Sequence, residues 1–232
     1  MARVCVFDVN ETLLDMRALD PHFERLFGDA SARQAWFGQF LQLWLTETVT
    51  GVYQEFGTIG GAALKMLADE RGVEISDDEV GEILGSMKEM PPHPEVEEGL
   101  SRLREAGFRL ATLTNSTSQV GEAQIENSGL REYFEQTLSA DSAQRLKPAP
   151  ESYRMAAQSL GMELGEIRLV AAHGWDIAGA LRAGCAAAFV ARPGKALFPT
   201  APSPDVVGAD LREVADQIVA AEEGVADGVE IR

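Results

Sequence analysis

Short, mostly apolar runs recur along this chain, each too brief for a buried helix and each followed by polar residues. They are ARVCVF (2–7), FRLATLT (108–114), IRLVAA (167–172) and AAAFVAR (186–192), with a weaker one at DVVG (205–208). A strand that is apolar on both faces belongs in a parallel sheet covered on both sides. Helical patterns lie between most of the runs. HPEVEEGLSRLREAG (93–107) repeats apolar residues at helical spacing and stops at Gly107. PAPESYRMAAQSLG (148–161) opens with prolines and closes with glycine, and the Ala-rich WDIAGALRAG (175–184) also closes with glycine. Proline suits a first helical turn, whose N–H groups lack partners anyway, and glycine suits the left-handed residue that ends a helix. Strand and helix in alternation from about residue 93 predict an α/β fold with a doubly wound, Rossmann-like parallel sheet.

Residues 16 to about 90 interrupt that alternation. FERLF, QAWFGQFLQLWLTETV, GGAALKMLADERG and DDEVGEILGSMKEM all carry apolar residues at helical spacing. The expected architecture is an α/β core domain, residues 1–15 and 91–232, carrying an inserted α-helical cap domain, residues 16–90. PPHPE (91–95) is the expected return hinge. The chain of 232 residues is long enough for both. The last residues, EEGVADGVEIR (222–232), are polar and punctuated by glycine, and are expected to fray.

Charge narrows the functional classes. A net charge of -17 argues against nucleic-acid or anionic-membrane binding, since both need a basic face. A small anionic substrate stays open, because a few buried Arg and Lys can set a local positive potential. No apolar run is long enough to span a bilayer, and the N-terminus leads directly into a strand pattern with no signal-peptide signature; a cytoplasmic location is the expectation. Cys5 and Cys185 sit inside apolar runs, as buried thiols do, and no CxxC or Cys/His cluster suggests a zinc site.

Ligands of open α/β sheets bind outside the carboxyl ends of the strands. The first strand is followed by Asp8, Asn10, Glu11 and Thr12, the second by Thr114 and Asn115, and the third by His173, Trp175 and Asp176; Lys147 precedes Pro148 at the mouth of a helix. Each has an ordinary structural explanation alone: Asp8 and Asp176 as caps, Thr114 and Asn115 as a turn, Lys147 as a solvated side chain. All placed at strand and helix ends, they form a candidate active site.

In this order the residues resemble the four motifs of the haloacid dehalogenase superfamily. VFDVNETLLD is similar to its first motif, Asp-x-x-x-Thr after a hydrophobic strand. LATLTNST is similar to the second, RLKPAPESY to the third with its Lys-Pro, and VAAHGWDIAGALRAG to the fourth. The resemblance spans residues 3 to 184, and the helical insert after the first motif matches a family cap. It implies that Asp8 is a nucleophile. Family phosphatases carry a second Asp two positions later, as acid for the leaving group; here Asn10 stands there, and an amide cannot protonate an alkoxide. The strand before the fourth motif ends Ala171-Ala172-His173, which leaves few hard oxygen donors for Mg²⁺.

Both departures point to the type II (L-2-haloacid) dehalogenase branch. That branch resembles this chain in a cap arginine, matched by Arg33 in SARQAWF, in Thr114-Asn115, in Lys147 followed by Tyr153, and in Trp175-Asp176. The resemblance implies hydrolysis of a short halogenated carboxylic acid without a cofactor or metal. The resemblance implies that Asp8 forms an ester, that Lys147 keeps Asp8 ionised, and that Asp176 orients Lys147 and, with His173 in its base reading, places the water. Asn10, Thr12, Arg33, Thr114, Asn115 and Tyr153 bind the substrate or the leaving halide. His173 stands where the branch has Asn, and reads equally as a base or as a hydrogen-bonding residue. Ala171 stands where it has Ser, and Asn10 where it often has an aromatic residue. Trp36, Phe37, Phe40 and Trp44 suit either a dry pocket wall or the cap core. A homodimer is a further implication. The competing readings are a Mg²⁺-dependent small-molecule phosphatase of the same superfamily and a non-catalytic binding member.

Overall fold

The structure is a computed structural model that describes the backbone of residues 4–227 and the side chains of residues 4–221. Six strands form one sheet: β1 (Val4–Phe7), β2 (Arg109–Thr114), β3 (Gln136–Ser139), β4 (Ile167–Ala171), β5 (Ala186–Val190) and β6 (Val206–Gly208). Every pairing is parallel and the spatial order is β3-β2-β1-β4-β5-β6. This is the doubly wound arrangement expected from the alternation of runs. The strand order reverses at β1, so the crevice at a topological switch point opens beside its carboxyl end.

The apolar character of β1 follows from its place. Cys5 and Phe7 pack into the cluster shared with α5 (Val96–Glu105) and α9 (Leu211–Asp227), whereas Val4 and Val6 pack on the opposite face against α7 (Pro150–Leu160) and α8 (Gly174–Ala183). Burying one such side chain contributes about 1.5–3 kcal/mol, and β1 does so on both faces. Cys5 and Cys185 are buried in different clusters, and no disulfide forms among the described residues.

Between β1 and α5 the chain forms a helical insertion: α1 (Asp20–Phe27), α2 (Ala32–Thr50), α3 (Phe56–Arg71) and α4 (Asp77–Ser86). Its two connections to the sheet run side by side. Leu14 bridges Pro92 antiparallel, the Asp15 amide donates to the Pro91 carbonyl at 2.8 Å, and the His93 amide donates to the Leu13 carbonyl at 2.9 Å. No helix among the described residues is long and apolar enough to cross a membrane.

Three elements escape the sequence reading. Strand β3, QTLS, is a half-buried edge strand with a single strongly apolar residue, so its pattern is faint. Helix α6 (Ser118–Asn127) buries only Gly121, Gln124 and Ile125. Helix α9 buries Leu211, Val214, Ala215 and Ile218, a helical spacing that was legible. It continues to Asp227, so residues 222–227, read from the sequence as a fraying tail, begin as the last turns of this helix. The remainder of that segment, 228–232, and the first two residues of the predicted strand 2–7 lie outside the described residues.

Candidate active site

Asp8 follows β1 directly, and its amide donates to the Val170 carbonyl at 3.0 Å, which seats it at the crest of the sheet. Its two carboxylate oxygens have different partners. Oδ1 accepts from Lys147 Nζ at 2.9 Å, and Oδ2 accepts from the Thr12 hydroxyl at 2.6 Å. Lys147 Nζ also donates to Asp176 Oδ2 at 2.6 Å, and the other Asp176 oxygen accepts from Tyr153 Oη at 2.5 Å. The four side chains thus form one buried relay, Asp8–Lys147–Asp176–Tyr153, in which Lys147 and Asp176 are wholly inaccessible and Asp8 is 5% exposed. Gly179 lets α8 lie this close to Tyr153: a Cβ there would stand 2.6 Å from Tyr153 Oη and 2.5 Å from Pro148 Cβ.

The charges in this relay are settled by opposition. Burial pushes the Asp8 carboxyl up, but the Lys147 ammonium, the nearby His173 and the Thr12 hydroxyl outweigh it, and the group titrates below the ordinary carboxylate value. Burial pushes Lys147 down, and the charges of Asp176 and Asp8 outweigh that, so the ammonium is held above its ordinary value. Asp176 is pushed up, by burial first and then by repulsion from Asp8, against the pull of Lys147. The Tyr153 hydroxyl is raised well above its usual range by burial and the adjoining carboxylate.

The residues expected at the substrate divide into two groups. Asp8, Asn10, Asn115 and His173 line a cavity of about 10 Å³, walled by Phe37, Trp44, Phe56 and Trp175. Thr12, Thr114, Tyr153 and Arg33 are not among its lining residues. The Thr12 hydroxyl is spent on Asp8 and on the Ala172 amide at 2.9 Å. Thr114 Oγ1 accepts from the Ser116 amide at 3.2 Å. Tyr153 stands behind Asp176, two side chains from Asp8. Arg33, from α2, donates to Asp20 Oδ1 at 2.6 Å and faces Glu11 Oε1 at 3.6 Å. Asn115 reaches the cavity but spends both ends of its amide on the Lys147 backbone, accepting from its N–H at 2.8 Å and donating to its carbonyl at 3.3 Å. Asp176, expected to place water, has both oxygens engaged. The aromatic residues divide as well: Phe37 and Trp44 wall the cavity, whereas Trp36, bonded to the Gly60 carbonyl, and Phe40 form cap core.

His173 is sandwiched between Phe37 (centroids 5.6 Å apart, 27° between planes) and Trp175 (5.1 Å, 24°). Its Nε2 faces the Asn10 carbonyl at 3.2 Å, Glu11 Oε2 at 3.6 Å and Asp8 Oδ2 at 3.8 Å. Glu11 was visible among the polar residues after β1 but had no assigned role. The structure shows it held in the left-handed region, φ 63°, with its carboxylate meeting His173, Arg33 and Lys195 Nζ. Backbone strain of this kind at a non-glycine residue persists where surrounding contacts hold it. Arg192 clamps the same loop through two bonds to the Thr12 carbonyl, at 3.2 and 2.7 Å, and an ion pair to Glu95. Arg192 ends a strand run and was legible as a strand-end charge; Lys195, in a loop, carried no signal. No group of three or more His, Cys, Asp or Glu among the described residues is placed to hold a metal ion.

A parallel sheet with a helical insertion after its first strand, and an Asp–Lys–Asp relay at its switch point, define a hydrolase class. The family model of the haloacid dehalogenase-like hydrolases matches residues 2–184, and the chain belongs to that family. It is 29% identical over 186 residues to (S)-2-haloacid dehalogenase 4A of Burkholderia cepacia, covering 77% of this chain and 78% of that protein. It is 27% identical to the (S)-2-haloacid dehalogenase of Xanthobacter autotrophicus, covering 83% and 76%. The solved structure of L-2-haloacid dehalogenase from Xanthobacter autotrophicus superposes with a TM-score of 0.88 at 24% identity, covering 94% of this chain and 98% of that one.

Proposed function

We propose that this chain is a hydrolytic dehalogenase of short 2-haloacids that works through an ester on Asp8. The observation that carries the reading is an anionic Asp8 held by a buried Lys147 and facing an aromatic-walled cavity, with Asn10 at the place of the phosphatase acid. A carboxylate kept ionised and poorly hydrated is a competent nucleophile toward an alkyl halide. The names of the relatives support the same chemistry.

In the first step an Asp8 oxygen attacks the carbon bearing the halogen, the carbon–halogen bond breaks, and halide leaves with its electron pair. Donors at the cavity, foremost the amide of Asn10, and the guanidinium of Arg33 after a shift toward the pocket, stabilise the negative charge. In the second step water attacks the Asp8 carboxyl carbon, the ester opens, and a 2-hydroxy acid of inverted configuration departs. His173, backed by Glu11, places that water with Nε2, the ring nitrogen that faces Asp8 Oδ2 at 3.8 Å, and the water's proton passes to the departing alkoxide. Asp176 and Tyr153 act through Lys147. A cavity of about 10 Å³ holds no more than a water molecule, so the helical insertion opens for substrate and closes for chemistry.

The phosphatase alternative requires hard oxygen donors for Mg²⁺. Both Asp176 oxygens are bonded to Lys147 and Tyr153, and the Asn10 side-chain oxygen to Gln124, so the donor set does not fit. The reading takes residues 16–90 as a cap moving against a core of residues 1–15 and 91–232, in a cytoplasmic homodimer.

The test is halide release from 2-chloropropionate and chloroacetate, with and without chelator. Expected are release that survives chelation, its loss in Asp8→Asn, and, in a single turnover in ¹⁸O-water, label in Asp8 ahead of product. Phosphate release from small phosphoesters, strictly dependent on Mg²⁺ and with no halide release, would overturn the reading.

A further inference from the structure

We propose that Gln124 is a positioning residue that decides which end of the Asn10 side chain faces the reacting atoms, so that the site presents an anion with a donor, not a lone pair, beside Asp8. The proposal deepens the dehalogenase reading and rests on it for the identity of the anion.

A carboxamide is nearly symmetric in shape and opposite in polarity at its two ends. Asn10 lines the cavity next to Asp8. With its oxygen inward it would repel a carboxylate or a departing halide; with its NH₂ inward it would bind either one. Packing alone does not choose between the two orientations.

The choice is made from outside the cavity. Gln124, on α6 and wholly buried, donates from Nε2 to the Met87 carbonyl at 3.0 Å and to Asn10 Oδ1 at 2.8 Å. A backbone carbonyl accepts and never donates, so the Gln124 atom facing Met87 is nitrogen. The same nitrogen then meets Asn10, whose near atom is the oxygen. The NH₂ of Asn10 is the end left for the cavity. The Gln124 oxygen has no hydrogen-bond partner. An unpaired buried acceptor is destabilising, a cost that a leucine or methionine filling the same space would avoid. The two N–H groups are the reason for an amide here. Met87 lies in the last turn of the helical insertion, so the orientation of Asn10 is tied to the seating of the cap.

The consequence for selectivity is specific. Gln124 touches no substrate atom, yet replacing its donors removes or reverses the Asn10 dipole at the nucleophile. In Gln124→Glu the carboxylate accepts from the Asn10 NH₂ and turns the Asn10 oxygen inward. In Gln124→Met the packing is kept and Asn10 is released.

The experiment has two readouts. The first needs no turnover: the ¹H–¹⁵N resonance of the Asn10 side-chain NH₂, assigned with Asn10→Ala, is followed during titration with sodium bromide and with sodium acetate. In the wild type it shifts with saturation; in Gln124→Glu the response is lost, and in Gln124→Met it is weakened. The second is kinetic. Gln124→Glu is expected to raise KM for 2-chloropropionate by roughly 10–100-fold, the worth of one hydrogen bond to a charged group. In the Asn10→Ala background the same substitution is expected to add nothing, because its whole effect passes through Asn10. A resonance indifferent to both anions in the wild type overturns the proposal, whatever the reaction. So does a Gln124→Glu effect of equal size with and without Asn10. Absence of halide release by the wild type, with the bromide response intact, would instead sink the dehalogenase reading and leave the orientation of Asn10 established.

Discussion

The ammonium of Lys147 stands 2.9 Å from the carboxylate of Asp8, across 139 residues of sequence, in a pair whose lysine has no exposed side-chain surface and whose aspartate has 7%. Breaking one side of such a pair leaves an uncompensated buried charge. Lys147→Met is expected to destabilise the fold by about 3–5 kcal/mol in denaturant titrations and to abolish turnover at neutral pH. Adding Asp8→Asn to it is expected to restore part of that stability. A double variant no more stable than Lys147→Met would mean that the lysine does not balance Asp8.

The pair also determines how stability responds to pH. Asp8 titrates below its ordinary value of 3.8 in the folded chain, so its contribution is complete above 3.8 and is lost as pH falls through the lowered value. Lys147 titrates above 10.5, so its contribution is complete below 10.5 and is lost as pH rises through the raised value. Asp176, raised in the fold, has the opposite sign to Asp8 and offsets part of the acid loss. The stability difference between wild type and Asp8→Asn is therefore expected to be flat through neutrality and to shrink at the acid and alkaline extremes. Equilibrium unfolding at a series of pH values checks this; a difference that changes across pH 6–8 would contradict it.

Glu11 and His173 are assigned to the second step alone. In Glu11→Gln and His173→Asn the halide burst is expected to persist, while ester hydrolysis slows by about 10²-fold, the usual cost of misplacing a reacting group. Mass spectrometry of quenched enzyme would then show Asp8 carrying the 1-carboxyethyl ester left by 2-chloropropionate. A slowed burst with no accumulated adduct would assign both residues to alkylation.

Tyr153 acts at one remove, through Asp176. Tyr153→Phe leaves a buried carboxylate oxygen without its donor and is expected to cost about 1–3 kcal/mol of stability. Its kinetic signature is a lower kcat with little change in KM, since the hydroxyl is not at the cavity. A selective rise in KM would place Tyr153 at the substrate after all.

Much of the candidate site was legible before folding. Asp8, Lys147, Asp176 and His173 stood out because each lies at the end of an apolar run or the mouth of a helix, and the sheet brings those ends together. The roles of Thr12 and Tyr153 were not legible, because a hydroxyl near Asp8 can serve a ligand, Asp8 itself or a neighbour, and only the actual partner decides. Thr12 proved to hold Asp8 and Tyr153 to hold Asp176. Phe37 and Phe40 carry the same residue type three positions apart, yet one walls the cavity and the other fills the cap.

From the sequence alone came what is local or periodic: apolar strands buried on both faces, helices with their ends, the helical insertion after β1, and an aspartate poised where the first strand stops. Burial along an element leaves its imprint on residue spacing. Tertiary structure decided which side chains meet. Gln124 reaches Asn10 across 114 residues, Arg192 reaches the Thr12 carbonyl across 180, and Lys195 reaches Glu11 across 184. The physical reason is that a polar side chain's partner depends on strand order and on how helices seat against the sheet. Neither leaves a period in the chain.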